Sequence, residues 1–200
     1  MATDQRKVII RRAIIHWPNL LAPRRNDDGS ADKYGCQVII PKDAAEIPAL
    51  KEAMKQAKEK SNLRGKCAVN FHDGDAKDED GNYVKDDACY RGHYYFNASA
   101  KKAPGVVIGK DRRPATEDDI YAGAGAAVSV TAFGYNREGN RGVSWGLNNV
   151  WITDTTLPVL AGRASAEKDF EDVEDIEISV ADKPVAETAG DDDDDLDGLL

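Results

Sequence analysis

Two hundred residues, 41% hydrophobic and 32% charged, with a net charge of −9 at pH 7, supply enough material for one packed, soluble domain. No apolar run approaches the roughly 18–20 residues of a membrane span, which excludes a transmembrane helix. The charge is unevenly placed: residues 166–200 hold 15 of the 36 acidic and 2 of the 27 basic side chains, net −13, which leaves 21 acidic and 25 basic, net +4, in residues 1–165.

The start of the chain, residues 1–7, is polar and lacks the apolar region of a secretory signal, so a cytoplasmic location is expected. Residues 7–17 are rich in Val and Ile and read as a strand that Pro18 and Pro23 break. A turn signal over 26–30 leads into a second strand, 34–40, which Pro41 ends. Asp43 and Glu46 have capping-box spacing, and Pro48 is tolerated only near a helix start. Ile47, Leu50, Met54 and Ala57 then recur at helical spacing, predicting an amphipathic helix that ends near Lys60 and is closed by Gly65. Further on, 78–82 reads as a loop, 88–98 as an aromatic-rich strand and 106–108 as a short strand. Residues 126–135 and 142–152 flank a hairpin signal at 136–141. Cys36, Cys67 and Cys89 form no CxxC pair and read as buried free thiols.

This pattern predicts a mainly β protein: an OB-fold-like five-stranded barrel with one inserted α-helix, with a β-sandwich as the alternative. After Gly162 the composition turns to Ala, Glu, Asp, Ser, Thr and Pro. The expected organisation is therefore a binding domain over 1–165 and an acidic linker and tail over 166–200, disordered from about residue 181.

Enzyme signatures are broken. The stretch from Gly105 to Asp111 is one residue short of a P-loop and has Asp111 where Ser or Thr would hold magnesium. Gly123 and Gly125 lack the third glycine of a dinucleotide fingerprint. The loop at Gly81 has Ala76 where a calcium loop needs a carboxylate. His16, His72 and His93 have no metal-ligand spacing. No catalytic residue, cofactor or metal is expected.

The positive signal is aromatic residues interleaved with cations on predicted strands. Gripping unpaired DNA without reading sequence needs flat apolar faces for bases and cations for phosphates. The run from Tyr90 to Lys102 supplies both, with Tyr94 and Phe96 on one strand face and His93 and Tyr95 on the other. The residues expected to touch single-stranded DNA are Arg11, Trp17, Tyr34, Tyr94, Phe96, Lys101, Lys102, Arg112, Arg113, Tyr135, Arg137 and Arg141. Any of the aromatics could instead be core. The tail, with Asp191, Asp192, Asp193, Asp194, Asp195 and Asp197 beside Leu196, Leu199 and Leu200, is a solvated polyanion with an apolar tip. Two readings compete for it: a solubilising appendage, and a switch that occupies the basic groove until DNA displaces it.

The extended segments Lys33 to Lys42, Tyr94 to Val107, Ile120 to Gly123 and Gly142 to Val150 resemble bacteriophage single-stranded-DNA-binding proteins, in particular the type from phages of Enterobacter and related hosts. The resemblance covers most of residues 6–160. It implies an OB fold, non-specific single-strand binding and a role in phage replication, recombination or repair. The tail is similar in kind to those of other single-strand binders but ends in Leu199-Leu200 where the bacterial pattern has Pro-Phe. The expectation is a non-enzymatic protein whose partners are single-stranded DNA, replication or recombination proteins reached through the tail, and a second copy in a homodimer, with no membrane partner. The rival is a DNA mimic that inhibits a nuclease or repressor.

Overall fold

The first strand, β1 (Lys7–Arg24), organises the architecture because its two halves take different partners. Its first half, from Lys7 to Ile14, runs antiparallel to β8 (Gly125–Arg137), and from Ile14 onward it runs antiparallel to β2 (Lys33–Pro41). Next, β2 pairs with β5 (His93–Ala100), and β8 pairs with β9 (Asn140–Asp154). Closure comes from parallel pairing of β5 with β9 through Ala98–Trp145 and Ser99–Gly146. The cycle β1–β2–β5–β9–β8 is a closed five-stranded barrel of the OB kind with one helix, as the strand pattern predicted. The computed structural model describes residues 6–25, 33–137 and 140–160. The chain divides into units Met1–Gly162 and Arg163–Leu200; the second, with the tail and its expected disorder, lies outside the described residues.

Alternation along the strands sends Ile10, Ile15, Val38, Ile40, Phe96, Val128, Val130, Trp145 and Ile152 into the barrel, all fully buried or nearly so. Helix α1 (Ile47–Lys60) follows β2 and adds Leu50, Ala53 and Ala57 to the same core, packing on β8, β9 and β1. Pro48 sits in its first turn, as expected. The capping box does not form: Glu46 makes no cap, and its Oε1 accepts hydrogen bonds from the Arg11 backbone N–H and guanidinium. Helix reversal comes at Asn62, which takes a φ of 50°, three residues ahead of Gly65.

Four short strands trim the barrel. These are β3 (Ala68–Val69) parallel to β9, β4 (His72–Asp73) against β5, and a β6 (Gly105–Ile108)–β7 (Arg113–Pro114) hairpin whose β6 runs parallel to β9. Asn70 bridges β5 to β9 near the closure. Its amide donates to the Asn97 carbonyl at 2.7 Å and to Ser144 Oγ at 3.1 Å, and its Oδ1 accepts from the Asn97 N–H.

Two expected boundaries move. Pro18 and Pro23 do not end β1: past Ile14 the strand has β2 on one side only, so prolines there leave no ladder bond unmade on the other. Register shifts on either side of Asn19 absorb the irregularity. The strand expected over 88–98 begins at His93, after a 3-10 turn (Ala88–Tyr90) and Gly92 at φ 71°. That turn lays Tyr90 over Ile39 and Tyr95 on the outside of the barrel, forming a second small apolar cluster. All three cysteines are free: Cys36 is buried, which pushes its thiol up to about 12, while Cys67 and Cys89 are half-buried.

Candidate nucleic-acid interface

Strand β5 decides which aromatics face outward. Phe96 is fully buried, its ring 4.9 Å from Trp145 and 5.9 Å from Phe71, so it offers no face to a base. Tyr94 lies on the same inward face, half-buried against Phe71 with the Lys42 ammonium over its ring. The expectation that Tyr94 and Phe96 form the platform is therefore corrected. The barrel core takes that face because closure against Trp145 needs large apolar rings there. The outward face carries Tyr95, Asn97 and Ser99. Tyr95 is covered by the Tyr90 turn, which leaves Asn97 and Ser99 exposed.

These two polar residues floor a groove of about 400 Å³ whose other walls include Trp17, Asn19, Arg24, Lys33, Tyr34 and Gln37. Trp17 is 59% exposed and stacks on His16, ring centroids 4.7 Å apart. Its φ of 49° is left-handed, a conformation that costs a non-glycine residue about 1–2 kcal/mol. The strand irregularity thus aims an indole away from the barrel. Arg24 and Lys33 pair across β1 and β2 at the groove end. Tyr34 pairs with Ala100, so exposed Lys101 and Lys102 lie just past that register position. Gly35 keeps the floor open, since a Cβ there would come within 2.6 Å of the Ala98 carbonyl oxygen.

Beneath the groove runs a polar relay. The Tyr90 hydroxyl donates to Gln37 Oε1 at 2.6 Å and therefore accepts from His16 Nδ1–H at 3.1 Å. Gln37 Nε2 in turn donates to Asn97 Oδ1 at 3.2 Å. Every donor points outward, which leaves the exposed Asn97 amide N–H groups without a partner among the described residues. Burial lowers the His16 pKa and keeps the ring neutral, and burial pushes the Tyr90 hydroxyl up to about 12. His16 Nε2 is the buried side-chain polar atom left without a partner among the described residues.

Across the β5–β9 pairing the outer face continues through Ser144 and Gly146 to Thr131, Phe133 and Tyr135 on β8. Phe133 is 39% exposed, and the Tyr135 ring lies over Gly142, where a Cβ would sit 2.6 Å from the phenol oxygen. Arg137 and Arg141 are exposed near the hairpin tip. The result is a polar sheet surface with aromatics and cations at both ends.

Three predicted residues lie elsewhere. Arg11 pairs with Glu46 at the helix start. Arg112 stacks on Trp151, and Arg113 is held by Asp119 in a two-pronged pair at 2.8 and 2.9 Å, both on the β6–β7 side. Arg11 and Arg113 are thus each ion-paired to a carboxylate, away from the groove. The tail residues from Asp191 to Leu200 lie outside the described residues. Sequence reasoning left Arg24, Lys33, Gln37, Asn97, Ser99 and Phe133 out of the site. The signal for Asn97 and Ser99 was their parity, opposite to Phe96 and Ala98 on one strand. Among the described residues no group of His, Cys, Asp or Glu could hold a metal ion, and no helix is long and apolar enough to cross a membrane.

A family model described as the Enterobacter phage Enc34 ssDNA-binding protein matches residues 6–180. The fold is similar to that of the single-stranded DNA-binding protein from bacteriophage Enc34 in its C-terminal truncation, with a TM-score of 0.66, 19% identity, and 76% of this chain and 88% of that chain covered. The same phage protein in complex with ssDNA gives a TM-score of 0.66 at 18% identity, covering 76% and 89%. The single-stranded DNA-binding protein gp2.5 of bacteriophage T7 gives 0.51 at 14% identity, covering 88% and 98%. No curated protein matches the chain.

Proposed function

The chain belongs to the family of the Enterobacter phage Enc34 ssDNA-binding protein, and from that premise we propose that it binds single-stranded DNA without reading sequence, on the barrel face between Trp17 and Tyr34 at one end and Phe133 and Tyr135 at the other. The observation that carries this reading is Trp17, an exposed indole fixed by its backbone over a groove rimmed with cations. Base stacking on such rings is worth about 1–3 kcal/mol per base and tolerates any sequence, because every base has a π-face. Arg24, Lys33, Lys101 and Lys102 take phosphates at the first end, Arg137 and Arg141 at the second. The Asn97 amide adds a donor that several base edges accept. Binding is the activity; the protein performs no chemistry on the strand and acts in phage DNA replication, recombination or repair.

The tail competes with DNA for this face and, once displaced, presents its leucines to replication or recombination proteins. Supporting this, Leu160, the last described residue, packs beside Ile39, Tyr90 and Tyr95 next to the groove. Tethering gives the polyaspartate a millimolar effective concentration, enough to compete yet readily beaten by DNA. Residues 1–165 are the binding domain and 166–200 the regulatory segment in this scheme.

Gel shifts on matched single- and double-stranded oligonucleotides, with the full chain and a chain ending at residue 180, test the scheme. Full-length protein is expected to retard the single strand, and the shorter chain to bind more tightly with a steeper salt dependence. Neither form shifting unpaired DNA in dilute buffer sinks the binding proposal; equal binding by both sinks the tail's part in it.

A further inference from the structure

The densest run of unpaired cations is not in the groove. Residues 51–66, spanning most of α1 and the loop after it, carry Lys51, Lys55, Lys58, Lys60, Arg64 and Lys66 against Glu52 and Glu59, a net of +4 that equals the whole balance of residues 1–165. Some basic residues elsewhere are ion-paired: Arg11 with Glu46, Lys42 with Asp73 and Asp75, Arg113 with Asp119. None of the six has an ion-pair partner among the described residues. Helix polarity accounts for Lys58 and Lys60, which oppose the negative end of the macrodipole in the last turn. It does not account for Lys55, a turn earlier, or for Arg64 and Lys66, beyond the helix. Lys55, Lys58 and Arg64 line one shallow depression of about 450 Å³ with Asn62 and Leu63.

This cationic surface adjoins the barrel face. The end of α1 packs so tightly on β8 that a Cβ at Gly134 would lie 2.4 Å from Ser61 Oγ, and the next residue, Tyr135, belongs to the outer face. From the hairpin, the Arg141 guanidinium reaches over the loop, 3.7 Å from where a Cβ on Gly65 would stand. Arg141 therefore links the aromatic surface to the lysines of the helix.

We infer that the C-terminal part of α1 and the loop through Lys66 form a second phosphate-binding track, along which a DNA strand leaving the barrel at the β8–β9 hairpin lays its backbone. The inference rests on the single-strand-binding reading above. Residues 51–66 contain no aromatic residue, so this track holds phosphates and stacks no bases. It lengthens the binding site and steepens its salt dependence without adding sequence preference.

The test compares the full chain with its Lys55→Gln/Lys60→Gln/Arg64→Gln/Lys66→Gln variant on oligo-dT of about 6 and about 20 nucleotides, lengths that bracket the span of one OB barrel. All four positions are exposed, and Gln keeps the helix propensity of Lys. Should the quadruple variant melt early, Arg64→Gln/Lys66→Gln, outside the helix, replaces it. The short oligonucleotide is expected to bind both proteins alike. On the long one, the variant's log–log salt slope should be shallower by about 2.8, and its affinity at 0.1 M salt up to about 600-fold weaker, at 0.7 per lost phosphate contact. An unchanged slope on the long strand overturns the track. Equal losses on both lengths overturn it too, because the cations then act as a diffuse field. Tighter long-strand binding by the variant also overturns it, since the patch would then hold the acidic tail. Wild-type protein that binds neither length removes the underlying reading along with the track.

Discussion

Replacing Trp17 separates the stacking argument from the backbone argument. The ring is 59% exposed, so about two-fifths of the 150–250 Å² an aromatic side chain buries is covered, roughly 60–100 Å². At 25 cal/mol per Å² its removal costs ~1.5–2.5 kcal/mol of stability. Trp17→Ala bears that cost and keeps the strained φ of 49°, whereas Trp17→Gly bears it and releases about 1–2 kcal/mol of strain. The glycine variant should thus be the more stable of the two by about 1 kcal/mol, against the usual order in a strand. Both should lose one stacked base, ~1–3 kcal/mol, or about 5- to 150-fold in affinity for oligo-dT. Denaturant midpoints read the first effect and fluorescence titration the second. Trp145 is buried and Trp151 half-buried, so Trp17 should supply most of the quenching on binding, and both variants should show little. Alanine equalling or exceeding glycine in stability refutes the backbone argument; undiminished affinity refutes the stacking one.

Phe96→Ala should cost about 3–5 kcal/mol in chemical denaturation, because it empties a fully buried site against Trp145; a variant that melts normally yet loses DNA would restore Phe96 to the interface. Asn70→Ala removes three hydrogen bonds at the seam between β5 and β9 and leaves the Asn97 backbone unpaired, for an expected loss of ~1–3 kcal/mol. Amide exchange should rise first at Asn97, whose N–H loses its acceptor, and protection unchanged there would count against the seam. Stability should also fall as pH drops below 6.5. Burial holds His16 and His72 below that value, with the Lys85 charge adding to the effect, so the unfolded chain takes up protons that the folded one refuses. The slope reaches at most about 1.4 kcal/mol per pH unit for each histidine. Below about pH 4 the depressed carboxylates of Asp73, Asp75, Asp119 and Asp154 add a loss of the same sign. Equal urea midpoints at pH 7.5 and 5.5 would show that the histidines titrate freely.

The barrel was legible because strand signals are local. Period-two alternation, turn clusters and one run at helical spacing are written over ten or fifteen residues, and five such strands with a helix leave few ways to hide sheet edges. Boundaries were less so. Pro18 and Pro23 are breakers only if both sides of a strand are paired, and β1 gives up its second partner just before them.

The cationic residues show the same divide. From the sequence Arg11, Arg24, Arg113 and Arg141 are equivalent; only folding places Glu46 beside the first and Asp119 beside the third. The sequence alone determined the class of the molecule: a β-barrel body of slight positive charge, a strongly acidic terminus, aromatics among cations, and no intact catalytic motif. Tertiary structure decided which side of β5 is outside, for the alternation that separates Phe96 from Asn97 is symmetric until the strand closes against Trp145 and one face runs out of water.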